Sequence, residues 1–289
     1  MSYHSHRISF HRSRWPFGLG APLFLTLLLL TLPGGVMGAG RDRIEAFLNV
    51  TGFDVALDSI ALSAGSAPDM LGVDENKFGS DWERLADEVF DTAVMHDMAL
   101  EILEQTLTDD ALDHAVTFYA SDLGQRLVEV ENQTHMNEDE TKELEGQRLV
   151  ADMVAAGDLR LEMFKRMNNA IDASGSSLRA IQEIQFRFLM AAASAGVVEL
   201  RMDPEDLRMM FKAQEPDLLP VLRQSALAGA AYTYRSFSDD DLAAYVEALE
   251  EPEMIEVYEL LNAVQYEIMA NRFEVLAGGM TELHPGQDI

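Results

Sequence analysis

Apolar residues recur three and four positions apart along most of this chain, and no stretch of several residues alternates apolar with polar between turn signals. Met254, Val257, Leu261, Val264 and Ile268 fall on one face of a long helix at this spacing, and Gly278 with Gly279 closes it. Ser80 ahead of Asp81, Trp82, Leu85, Val89 and Phe90 reads as a capped start with an acid in the first turn. Asp203 followed by Pro204, Glu205 and Asp206 is another, because Pro suits the first helical position and acids favour the positive end of the helix dipole. Between Asp42 and Ala277 the pattern predicts eight to ten helices with short connections. The Gly-, Ser- and Pro-bearing stretch from Ser63 to Gly79 reads as a loop, and Ala173 to Ser177 as a break in the helical pattern. The expected fold class is all-α, a multi-helix bundle.

An internal echo refines that expectation. Thr108, Asp109, Asp110, Ala111 and Leu112 read as a cap and the start of a helix, and Ser238, Asp239, Asp240, Asp241 and Leu242 read the same way 130 residues later. Without a gap the correspondence runs on through Val116 with Val246, Leu127 with Val257, Glu129 with Glu259 and Asn132 with Asn262. Both copies break and restart, at Ser121 and Asp122 and at Glu251 and Pro252. The bundle is therefore expected to hold two weakly related helical halves sharing one core, residues 40–172 and 173–280, with 281–289 as a flexible tail.

Charge and the amino terminus change the picture next. The first 39 residues contain no acid. Arg7, Arg12 and Arg14 precede the apolar run Leu23 to Leu32, followed by Pro33, Gly34, Gly35 and the small residues Gly38, Ala39 and Gly40, which is the layout of a cleaved signal peptide over residues 1–39. The run is shorter than the roughly 20 apolar residues of a membrane span. Removing three of the 21 basic residues leaves 18 against 50 acidic ones. Such a surface repels nucleic acid and anionic lipid, which bind through phosphates that need Lys and Arg. The absence of Cys excludes disulfides, thiol catalysis and cysteine-held metals. The mature chain is expected to be periplasmic or secreted, without a stable membrane span.

Within Thr108 to Gln125, an acidic helix start is followed by Phe118, Tyr119, Ser121 and Gly124, in the pattern Phe-Tyr-x-Ser-x-x-Gly. This resembles the signature of the bacterial domain of unknown function 2059 family, and the likeness extends over Ser80 to Met136. The second copy departs from it, with Ala248, Leu249, Glu251 and Met254 at the matching positions. The resemblance implies an exported, helical protein and no particular activity. The residues also have a direct reading: Ser121 caps the helix from Asp122, Gly124 lets another backbone come close, and Phe118 with Tyr119 extends the apolar face of Leu112, Ala115 and Val116. That describes a tight helix corner pinned by an aromatic pair; a ligand pocket at the corner is the alternative.

Catalytic constellations are scarce. There is no Gly-x-Ser-x-Gly, Walker loop or Glu-x-x-His pair, and the histidines beyond residue 39 are His96, His114, His135 and His284. Asp110 with His114 and Glu131 with His135 are each four apart and can meet on a helix face. Surface pairing accounts for them unless both pairs converge, as a zinc or acid-base site requires. Asp74, Asn76 and Gly79 match three calcium-loop positions, but Phe78 and Leu85 stand where oxygen ligands belong. Met95, His96 and Met98 have the ligand types of a copper site, against which stands the spread of 16 Met through the chain as flexible core filler. No catalytic residue, metal or cofactor is assigned. The leading expectation is a non-enzymatic module that binds a protein or an envelope component through a groove between its halves. A hydrolytic or metal-dependent enzyme, using Asp110, His114, Glu131 or His135, is the alternative.

Overall fold

Capping side chains set where many of the helices begin. Asp91, Thr108, Ser121, Asp203 and Ser238 each accept a hydrogen bond from a backbone N–H two or three residues ahead, satisfying donors that the first turn leaves without partners. In the computed structural model of the chain, residues 40–63, 67, 80–137 and 141–283 are described. Their α-helices are α1 (Arg41–Thr51), α2 (Phe53–Ser63), α3 (Ser80–Val89), α4 (Thr92–Thr106), α5 (Asp109–Tyr119) and α6 (Asp122–His135). They continue with α7 (Thr141–Ala156), α8 (Arg160–Ile171), α9 (Ser177–Ser194), α10 (Pro204–Thr233), α11 (Asp239–Leu249) and α12 (Pro252–Gly279). No strand occurs among the described residues, so the fold is all-α.

There are more helices than the eight to ten expected, and the reason is local. Gly52, in the left-handed region at φ 69°, ends α1 by donating its N–H to the Leu48 carbonyl, and so splits one periodic stretch into α1 and α2. The expected break at 173–177 lies between α8 and α9, where the Asp172 carboxylate accepts from the Ser176 N–H at 2.8 Å. The signal-peptide reading (residues 1–39), the calcium-loop positions Asp74, Asn76, Phe78 and Gly79, and His284 lie outside the described residues. At the carboxyl end a 3-10 turn over Met280–Glu282 leads to Leu283, which is buried.

Helix α12 is the spine. It packs against α3, α4, α5, α8, α9 and α11, burying Met254, Val257, Val264, Ile268, Ala270, Phe273, Leu276 and Ala277, while Glu256, Glu259, Ala263 and Glu267 form one exposed strip. Phe273 stands between Phe90 on one side and Phe188 on the other, each ring pair edge-to-face with centroids 5.3 Å apart. Helix α7 lies along α10, and α8 along α11. Most of the buried apolar residues form one continuous cluster from Ile44 to Leu283, drawing on both sides of residue 172. No helix among the described residues is long and apolar enough to cross a membrane.

The echoed corners share local geometry. The last-turn N–H groups of α5 and α11 close alike, Ala120 to Val116 at 2.9 Å and Glu250 to Val246 at 3.1 Å, and the next residue, Ser121 or Glu251, is extended before the following helix starts. Leu112 and Leu242 are both buried, as are Leu127 and Val257, whereas Val116 is exposed and Val246 is fully covered.

Because Phe273 fills the junction between α3, α9 and α12, Phe273→Ala is expected to cost about 3–5 kcal/mol in urea denaturation followed by circular dichroism. A loss below about 1 kcal/mol would contradict the placement of this ring at the heart of the core.

Candidate functional site

Helix α6 buries Gly124, Leu127 and Val128 on one side. Glu131 follows these by three and four residues and so falls on the same inward face, an unusual place for a carboxylate. It arrives among four phenols. Tyr119 is the last residue of α5, Tyr234 follows the end of α10, Tyr245 is on α11, and Tyr258 lies in the second turn of α12. The Tyr234 hydroxyl donates to Glu131 Oε1 at 2.6 Å and the Tyr245 hydroxyl donates to the same oxygen at 3.1 Å. Tyr258 Oη lies 3.0 Å from Tyr245 Oη and is also hydrogen-bonded to Tyr119 Oη.

Proton counting sets the direction of this network. An ionised Glu131 only accepts, and in that state Tyr245 spends its proton on Glu131 and accepts from Tyr258, which in turn accepts from Tyr119. The four hydroxyl dipoles therefore all run toward one oxygen. Burial pushes the Glu131 pKa above its ordinary value of 4.5, and the bonds from Tyr234 and Tyr245 partly offset that rise by favouring the anion. The same burial raises all four phenols, and the neighbouring carboxylate adds to the effect, so they stay protonated. Ring contacts fix the cluster sideways: Phe118 stacks on Tyr245 at 5.8 Å, and Tyr234 meets Tyr245 edge-on at 5.7 Å.

The cluster walls a cavity of about 400 Å³. Both sides of the chain supply its lining, with Thr51, Glu131, Asn132, His135 and Asn168 from the first and Tyr245, Tyr258, Leu261, Asn262 and Gln265 from the second. Gly52 is required at the rim, since a Cβ there would lie 2.2 Å from Asn132 Oδ1. His135 keeps an exposed flank, while the atoms packed around its ring and then the Lys142 ammonium lower its pKa, leaving it neutral at pH 7. Lys142 is itself held by the carbonyls of Asn137, at 2.8 Å, and Thr134.

Sequence-based candidates are distributed unevenly around this site. At the helix corner Ser121 Oγ accepts from the Gly124 N–H at 3.1 Å, and a Cβ on Gly124 would lie 2.4 Å from the Phe118 carbonyl oxygen and 2.6 Å from Tyr119 Cα. Tyr119 reaches the cavity; Phe118 backs it through Tyr245. Glu131 and His135 both line the cavity without bonding each other, whereas Asp110 is exposed, His114 is half-buried, and neither lines it. The two acid-histidine pairs therefore do not converge. Among the described residues no group of three or more His, Asp or Glu is placed to hold a metal. Met95 is fully buried, and His96 is paired through Nδ1 with Asp54. Sequence reasoning missed Tyr234, Tyr245 and Tyr258. The available signal was Glu131 itself, an acid in phase with Leu127 and Val128.

Residues 93–152 match the model of a bacterial family described as "Uncharacterized protein conserved in bacteria (DUF2059)". The match bears out the DUF2059 resemblance over α5 and α6, together with parts of α4 and α7. It contains Tyr119, Glu131 and His135, while Tyr234, Tyr245 and Tyr258 come from beyond the DUF2059 segment. No curated protein and no solved structure matches the chain.

The raised pKa of Glu131 has a definite sign in stability. The folded state holds this proton to higher pH than the unfolded chain, so the contribution is complete below the ordinary glutamate range and is lost as pH rises through the folded value. Glu131→Gln is therefore expected to gain stability relative to the native chain as urea denaturation is moved from pH 4 to pH 8. Parallel curves for the two proteins would contradict an ionisable Glu131 whose pKa is raised by the fold.

Proposed function

We propose that the mature chain is an exported binding module that takes a small polar ligand into the cavity beside Glu131. The observation that carries this reading is the cavity's construction. Side chains from both halves of the chain meet around about 400 Å³, within the roughly 300–1,000 Å³ usual for small-molecule sites. Its walls combine aromatic rings with a few convergent polar groups, the composition of a recognition site rather than of plain core. Export through residues 1–39 belongs to the same reading, resting on the Arg-led apolar run and the small residues after it. The pairing of residues 40–172 with 173–280 also belongs to it: Asn132 and Asn262, equivalent in the echo, both line the cavity, which supports two related halves closing over one site.

The enzymatic alternative draws less support. Paired-carboxylate hydrolysis needs a second acid within reach of the first, and Glu131 is the sole acid in the described lining. A protein or envelope component remains compatible with the module only where it presents a small group to the cavity.

Gly229 offers a direct test, because it lines the cavity and a Cβ there would meet nothing within 4 Å. Gly229→Leu is expected to fold, to keep the Glu131 hydrogen bonds and to abolish the ligand hits that a polar-metabolite library gives with the native chain in ligand-observed NMR. Hits that survive the substitution would contradict the cavity as the binding site, and strong turnover in a hydrolase screen, lost in Glu131→Gln, would favour the enzyme.

A further inference from the structure

Resting on the reading of this cavity as a binding site, we infer that its ligand is an organic ammonium compound whose cationic nitrogen sits against Glu131 Oε2. The first argument is a missing partner. Glu131 is half-buried among aromatic rings, and a carboxylate partly drawn away from water gains from a cation beside it. Among the described residues no Lys or Arg lines the cavity, and Lys142, whose charge acts on His135, is engaged by backbone carbonyls. Fourteen Arg or Lys pairs with acids among the described residues show how this sequence pairs its acids with its own cations, as with Arg187 between Glu267 and Glu274 or Arg126 on Asp241. Glu131 is in none of them.

The second argument is the hydrogen-bond count. Tyr234 and Tyr245 both donate to Oε1, and Tyr258 and Tyr119 are committed behind Tyr245. Oε2 receives no hydrogen bond from a described residue and is not a buried atom, and since Glu131 lines the cavity this open acceptor is taken as facing the ligand space. An anion there would face the carboxylate, and an uncharged guest would displace water from a charge without replacing it. An ammonium group does neither.

The third argument separates an organic cation from a metal ion. Hard divalent cations take six or more oxygen ligands, commonly with several carboxylates, whereas this cavity has one. Its other walls include phenol rings, whose π faces attract alkylated ammonium groups, uncharged amides such as Asn168 and Gln265 that can accept from N–H, and apolar side chains such as Met167 and Leu261 that suit the alkyl part. The formal charge of −29 adds a long-range field that concentrates cations and repels anions.

Proton linkage provides a signature beyond affinity. The charged or titratable groups around Glu131 are Tyr119 from α5, Tyr234 after α10, Tyr245 from α11, Tyr258 from α12 and, on α6 itself, His135 with Lys142 of α7 beyond it; α1, α2 and α8 contribute uncharged residues. The phenols stay neutral, so the cation competes with a proton on Glu131, and with one on His135 in the same sense. Cation affinity is therefore expected to rise with pH.

The experiment is calorimetric titration of the native chain with methylammonium, n-butylammonium, tetramethylammonium and choline, each beside its uncharged isostere and a carboxylate of similar size, at pH 5 and pH 8. The account expects the cations to bind at least about tenfold more tightly than their isosteres, with affinity higher at pH 8 and proton release on binding at pH 5. Glu131→Gln should lose about tenfold in cation affinity and shed its share of the pH dependence, while His135→Gln keeps the preference for cations. Circular dichroism checks that each variant folds, and Gly229→Leu serves as a second variant that removes binding without touching the carboxylate. Isosteres or carboxylates that bind as well as the cations, with binding lost in Gly229→Leu, would overturn the ammonium inference and leave the cavity-binding reading standing. Cation binding unchanged in Glu131→Gln would also overturn it. Failure of every compound, charged or not, would overturn both.

Discussion

A carboxylate turned inward and half-removed from water must find donors, and the centre of this molecule is arranged around that requirement. Glu131 stands on the inward face of α6, and its donors come from distant positions in the chain, Tyr234 at a separation of 103 residues and Tyr245 at 114, with Tyr119 and Tyr258 joined to each other across 139. Each phenol brings the end or face of a different helix to the same point. The aromatic stacking of Phe118 on Tyr245 and the edge contact of Tyr234 with Tyr245 follow from that convergence. The polar network and the helix packing are thus mutually dependent: moving α11 or α12 would strip donors from a half-buried acid.

The apolar framework around the network was largely legible in the sequence. Spacings of three and four placed Met254, Val257, Val264 and Ile268 on one face of α12, and all four are buried. Asp203 caps α10 by accepting from the Glu205 and Asp206 N–H groups, as its sequence context implied. Such signals are local, which is why they can be read from neighbouring letters. Periodicity could not show that six helices would press on α12, since a single apolar face does not reveal how many neighbours share it. The split at Gly52 was likewise hidden, because a left-handed glycine interrupts a helix without disturbing the apolar rhythm on either side.

The site was legible in half. Tyr119, Glu131 and His135 could be singled out from the chain, but the reason given for Glu131, a partner four residues on, was the wrong one. Its partners are phenols from the second half, and no short spacing connects Tyr234, Tyr245 or Tyr258 to residue 131. Long-range convergence leaves only an indirect trace, here an acid in phase with Leu127 and Val128. The DUF2059 segment, residues 93–152, carries Tyr119 and Glu131 but none of the phenols that complete the network, so the site needs the rest of the chain.

The central claim is a geometric one about protons: four tyrosine hydroxyls relay toward Glu131 Oε1 and leave Oε2 vacant on the cavity side. Neutron diffraction from a deuterium-exchanged crystal at pH 8 reads it most directly. The account predicts deuterons on Tyr234 and Tyr245 pointing at Oε1, on Tyr258 pointing at Tyr245, on Tyr119 pointing at Tyr258, and none on Oε2. A deuteron on Glu131 donated to a tyrosine oxygen, or phenols turned away from the carboxylate, would contradict it.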